Sequence, residues 1–143
     1  MKIIGRIDKA SFPELFIDQV DVKIDTGAFT SSIHSHEIKK VNGIIEFKIL
    51  DPSHPEYNDQ VFKASNFSEK KIKSSNGSSE VRYIIKTVII FFGEDYPIEL
   101  SLTNRGDMKF PVLLGRKFLN NRFVVDSSKE DLSVTTYTKL KKK

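Results

Sequence analysis

Asp25, Thr26 and Gly27, at the end of Val20-Asp21-Val22-Lys23-Ile24, are the residues of this chain best suited to chemistry. Val20, Val22 and Ile24 alternate with polar residues, which is the period of a half-buried strand with one apolar face. Asp25 then falls at the strand end, pointing opposite to its neighbours, and Gly27 lets the backbone turn tightly beside it. The hydroxyls of Thr26 and Thr30 could bond to backbone or carboxylate and lock the loop that Ala28 completes. Presented in this way opposite a second carboxylate, Asp25 could serve as general acid and base for water attack on a peptide. The plainer alternative is a turn residue that caps its own loop, a common use of Asp.

The second informative segment is Phe110-Pro111-Val112-Leu113-Leu114-Gly115-Arg116, an apolar strand running into Gly-Arg. A short helix is expected over residues 115–121, after a tight turn and before two Asn. Between the two segments, Ser74, Ser75, Asn76, Gly77 and Ser78 form a polar tip, and Asn-Gly between β-forming runs predicts a hairpin. Arg82 and Arg105 read as surface or ion-pair residues ahead of substrate ligands, and Asp126 as a strand-end residue pairing a nearby Arg. His34 and His36, two apart on a strand, would share a face and are weak candidates for half a metal site. His54 lies in a Pro-bounded loop with no local reason to join them. There is no His-Glu-x-x-His run, Cys pair or Gly-rich phosphate loop, so no metal, ATP or other cofactor is expected.

The elements that must position these groups read as mostly β. Strands are expected over residues 2–7, 16–24, 32–36, 44–50, 60–64, 81–92, 96–102, 123–126 and 132–137, with a surface loop at 51–59. Asn42-Gly43 and Gly93-Glu94-Asp95 supply turns. No repeat or linker interrupts the pattern, which predicts one all-β domain over residues 1–138 and a basic tail over 139–143.

Composition narrows the partners. Four of the 23 basic residues, Lys139, Lys141, Lys142 and Lys143, sit in that tail, and the remainder equal the 19 acidic residues in number. A neutral body without a basic, aromatic-laced stripe argues against nucleic acid. The longest apolar run, Val88 to Phe92, is too short to span a membrane. The absence of cysteine and of an apolar leader fits a cytoplasmic location.

Taken together, Ile24-Asp25-Thr26-Gly27-Ala28 and Val112-Leu113-Leu114-Gly115-Arg116, with a glycine-bearing hairpin between them, resemble a retropepsin-like aspartic peptidase. The chain is most similar to the bacterial and archaeal family labelled ATP-dependent zinc protease. Its extended pattern appears here as Lys23 to His34, Asn76-Gly77, Glu80, Arg82, Leu102-Thr103-Asn104-Arg105, Met108, Pro111 to Arg116, Phe118-Leu119 and Val125-Asp126. The resemblance implies a closed acid-protease β barrel with one short helix. It also implies an aspartic endopeptidase whose second Asp25 comes from another copy, making the active form a homodimer. In that picture residues 74–78 are a flap, Leu114 and Gly115 pack behind the catalytic loop, and Arg116 holds the helix and interface through carboxylate pairs. Three other readings stay open: a non-catalytic module that holds extended peptide by β-augmentation, a partner of an ATP-grasp ligase acting on acidic, peptide-like tails, and the zinc-dependent protease of the family label.

Overall fold

The computed structural model describes residues 1–73, 76–104 and 109–133. Among the described residues, eleven strands follow one another as β1 (Lys2–Ile4), β2 (Ile7–Phe12), β3 (Ile17–Ile24), β4 (Ser31–Val41), β5 (Ile44–Ile49), β6 (Val61–Ala64), β7 (Phe67–Lys73), β8 (Ser79–Phe91), β9 (Glu94–Thr103), β10 (Val112–Leu114) and β11 (Phe123–Val125). A 3-10 turn, Pro13–Leu15, separates β2 from β3, and the α-helix α1 (Arg116–Leu119) lies between β10 and β11.

Six of the strands close on themselves in the order β10-β3-β2-β8-β9-β4 and back to β10. The closure leans on the short β10, whose Val112 pairs with Val22 in parallel and with Ile33 antiparallel. Closing the sheet removes its edges, the usual way a small β domain avoids open strand pairing. The expected β barrel with one short helix is therefore the observed fold, and it is mixed: β10–β3 and β4–β9 are parallel and the other four seams antiparallel.

Strand alternation accounts for the interior. Val20, Val22 and Ile24 are buried while the polar residues between them face out. They meet Ile33, Leu100, Val112 and Leu114 in one apolar core. The helix is held by Phe118 and Leu119, with Phe118 in a ring cluster with Phe91, Tyr96 and Phe123. Two long strands leave the barrel: β4 pairs with β5 from Ser35 onward, across a bulge between His36 and Lys39, and the first half of β8 pairs with β7. Asn42-Gly43 and Phe92-Gly93 both turn with two successive positive φ values, 52° and 77° in the first and 54° and 72° in the second, the mirror-type turn that matches strand twist.

Several expected boundaries move. Residues 2–7 are two strands, not one, because Ile3 and Ile4 pair in parallel with Val124 and Val125 whereas Ile7 pairs with Lys23. The helix is shorter than residues 115–121, ending at Leu119 before Asn121 enters the left-handed region. Of the strand expected over 132–137, Leu132 and Ser133 instead have helical backbone, and the rest lies outside the described residues, as does the basic tail.

Candidate active site

The Asp25 loop is fastened on both sides by backbone. The Ile24 N–H donates to the Arg6 carbonyl and the Asp25 N–H to the Leu114 carbonyl, each at 2.9 Å. The loop closes as a turn, with the Ala28 N–H donating to the Asp25 carbonyl at 3.2 Å and the Gly27 N–H to the Asp25 carboxylate at 3.1 Å. From the other side, the N–H groups of Arg116 and Lys117 at the start of α1 donate to the carbonyls of Ala28 and Phe29, both at 2.9 Å. The first turn of a helix has N–H groups without intrahelical acceptors, and here the loop carbonyls supply them.

This seam explains Gly115. A Cβ added there would lie 2.6 Å from the Phe29 carbonyl oxygen and 2.9 Å from that of Ala28. Only a residue without a side chain lets the helix start so close to the loop. The Gly115 N–H donates to the Ser31 hydroxyl at 3.0 Å in buried surroundings. Arg116 donates to the Thr26 carbonyl at 2.9 Å and places its guanidinium 5.8 Å from the Phe29 ring centre. The loop is thus held by Ser31 and Arg116; among the described residues the Thr26 and Thr30 side chains make no hydrogen bond. Ser31 was not singled out in the sequence, where nothing distinguishes it from Ser32.

Asp25 is half-buried and opens into a cavity of about 260 Å³, lined also by Thr30, Ser32, Lys70, Ile72 and Arg82. Larger cavities of about 480 and 700 Å³ lie elsewhere and do not include Asp25. Lys70 on β7 stands directly across from Arg82 on β8. The Arg82 Nε is buried without a hydrogen-bond partner and lies 3.6 Å from a Glu80 carboxylate oxygen. Two cations facing one another across a strand pair repel unless an anion lies between or beside them. Lys70 is a site residue that the sequence reading missed; counting back from the Asn76-Gly77 turn to the partner of Arg82 would have found it. Asn76, Gly77 and Ser78 sit exposed at the tip of this hairpin, while Ser74, Ser75 and Arg105 lie outside the described residues.

His34 and His36 do not converge. His36 Nδ1 meets the Leu50 carbonyl at 2.6 Å, whereas His34, 1 % exposed, meets the Asp51 carboxylate at 2.6 Å. The ring beside His34 is that of His54, with centroids 5.9 Å apart. Asp51 is held at a pKa of about 2, chiefly by the Ser53 hydroxyl, against the opposing effect of burial. Asp126 bonds the hydroxyl and amide of Ser128, so its carboxylate caps a local turn where an Arg pair was expected.

Against known sequences, the profile of the RimB-like family, described as retropepsin-like aspartic endopeptidase RimB, matches residues 3–136. The chain belongs to that family. Among curated relatives of this RimB-like chain, probable alpha-L-glutamate ligases of Shewanella pealeana and Shewanella halifaxensis are 37% and 36% identical over 130 residues. A third, from Desulfotalea psychrophila, is 36% identical over 129 residues. These alignments cover 87–88% of the RimB-like chain and 28% of each relative, so the chain spans under a third of their length. A crystal structure of a Legionella pneumophila protein of unknown function superposes with a TM-score of 0.73, covering 92% of this chain and 98% of that one at 23% identity. The shared barrel is the content of that likeness.

Proposed function

We propose that this chain is an aspartic endopeptidase that works as a homodimer and cuts acidic, peptide-like segments. The observation that carries the reading is the Asp25 loop, tied at four backbone points and opening on a cavity whose other charged groups are Lys70 and Arg82. One protomer supplies one such carboxylate, and a second copy related by a two-fold axis supplies the other. Phe29, 52% exposed beside Asp25, is the kind of apolar surface that a second copy would cover.

Two carboxylates within hydrogen-bond range share one proton. The ionised Asp25 accepts a proton from water as its oxygen adds to the scissile carbonyl carbon, while the protonated partner donates to the carbonyl oxygen. As the tetrahedral adduct collapses, one of its hydroxyls returns a proton to the ionised carboxylate while the protonated one donates to the leaving amine, so the carbonyl re-forms as an acid and the shared-proton state is restored. The β7–β8 hairpin, whose tip-side half lines the same cavity through Lys70, Ile72 and Arg82, would close over the substrate and exclude water.

Lys70 and Arg82 favour a substrate with carboxylate side chains near the cut. The similarity to alpha-L-glutamate ligases points the same way, to glutamate-rich tails and to an ATP-grasp ligase as a working partner. The test is hydrolysis of a peptide bearing an oligo-α-glutamyl tail against the same peptide with glutamine, across a dilution series. Faster cleavage of the glutamyl peptide, lost on dilution below the dimer Kd, supports the reading. Equal rates, or a rate per protomer independent of dilution, would overturn the substrate or the dimer respectively.

A further inference from the structure

At the fourth residue of β4, whose side chain does not line the Asp25 cavity, the fold gathers three metal-ligating side chains from two separate stretches of chain. His34, Asp51 and His54 place one ligand atom each within 4.8 Å of one another. We propose that these three residues form a binding site for a divalent first-row transition ion of the zinc type, which staples the loop after β5 to the barrel.

The backbone brings them together. The His34 N–H donates to the Pro111 carbonyl and its carbonyl accepts from the Leu50 N–H, both at 2.8 Å. Leu50, buried with φ 64°, turns the chain so that Asp51 follows opposite His34. The next turn is closed by the His54 N–H donating to the Asp51 carbonyl at 2.9 Å.

The donor geometry suits an ion. Asp51 Oδ2 lies 2.6 Å from His34 Nε2 and 3.9 Å from His54 Nε2. Ligands around a four-coordinate zinc stand roughly 3.4 Å apart, so both separations reach that value with shifts under about 1 Å. The second Asp51 oxygen, Oδ1, is already engaged by the amide and hydroxyl of Ser53, which aims Oδ2 at the two imidazoles. Such outer support is what orients carboxylates in built metal sites. Two imidazoles and one carboxylate favour zinc-like ions over magnesium or calcium, which take all-oxygen shells. The His34 side chain is 2% exposed, but those of Asp51 and His54 are 21% and 14% exposed, leaving a path for the ion and room for water as fourth ligand. None of the three lines the cavity that holds Asp25, so the ion would stabilise the fold and take no part in hydrolysis.

The test is calorimetric titration of the chelator-treated, tag-free protein with Zn²⁺, together with nitrogen-15 NMR of the imidazole rings in the unmutated chain. The expected result is one equivalent bound, a raised Tm, shifted ring resonances for His34 and His54, and an unmoved His36. His54→Ala should weaken binding by at least about tenfold, and His36→Ala should leave it unchanged. Absence of stoichiometric binding, equal affinity in His54→Ala, or ring shifts confined to His36 would each overturn the proposal. The ring resonances read the site even if a variant folds poorly.

Discussion

Replacing Gly115 with Ala isolates the seam between the Asp25 loop and α1. Gly115 has φ −97°, which any residue adopts, so the substitution adds no backbone strain and its effect is one of space. The new methyl would sit 2.6 Å from the Phe29 carbonyl oxygen and must retreat by about 0.8 Å to reach ordinary contact. Forcing a methyl into a packed seam costs about 1–3 kcal/mol. The Arg116-to-Ala28 and Lys117-to-Phe29 hydrogen bonds lie on the same carbonyls, and each is worth about 0.5–1.5 kcal/mol. Reduced freedom of the unfolded chain returns about 0.4–1 kcal/mol, leaving a net loss near 3 kcal/mol. Asp25 belongs to the loop that must move, and a misplacement near 1 Å at a reacting group can cost about 10²-fold in rate. Urea unfolding reads the first effect and peptide hydrolysis per folded molecule the second. Gly43→Ala is the control, because φ 77° strains any side chain in the β4–β5 turn, which takes no part in the Asp25 cavity. It should destabilise without changing activity per folded molecule. A Gly115→Ala protein within about 0.5 kcal/mol of the parent would refute the close-approach argument, whatever its activity.

Three other outcomes follow from the same contacts. Ser31→Ala leaves the buried Gly115 N–H without its acceptor and should cost about 1–3 kcal/mol in urea unfolding, with α1 and the Asp25 loop loosened together. Arg82→Met should lower kcat/KM on glutamyl peptides by about 10-fold or more while changing neutral peptides little, since a lost charge-assisted contact is worth about 1.5–3 kcal/mol. The Ser128 hydroxyl, and then its amide, hold the Asp126 pKa below the ordinary 3.8. A depressed folded-state pKa contributes stability that is present above the unfolded value and lost as pH falls through the folded one. The stability gap between the parent and Asp126→Asn should therefore be constant above about pH 5 and shrink in more acid solution, and a gap that stays constant there would contradict it.

The parts of the site that sequence made legible are local. The alternation of Val20, Val22 and Ile24 places Asp25 at a strand end because side-chain direction along a strand has period 2. The packing of Gly115 behind the Asp25 loop was implied by the family resemblance, whereas the local pattern marks only a tight turn ahead of a helix. Pairings between distant segments were less accessible. Lys70 becomes a neighbour of Asp25 only through the β7–β8 register, and Ser31 becomes a bond acceptor only because β10 inserts between β3 and β4. His54 reaches His34 through one left-handed residue, Leu50, a conformation that a leucine does not advertise. The split of β1 from β2 likewise depends on a parallel partner, β11, more than a hundred residues away in the chain.

The most direct test of the central claim compares wild type with Asp25→Asn on a diverse peptide library read by mass spectrometry, from acid to neutral pH and with chelator present. The Asn side chain retains an oxygen for the Gly27 N–H, so the variant should fold with a stability change within about 0.5 kcal/mol. The account predicts cleavage by the wild-type dimer, unaffected by chelator and absent in the variant. Cleavage that persists in Asp25→Asn, or no cleavage by a wild-type protein shown to be a folded dimer, would contradict it.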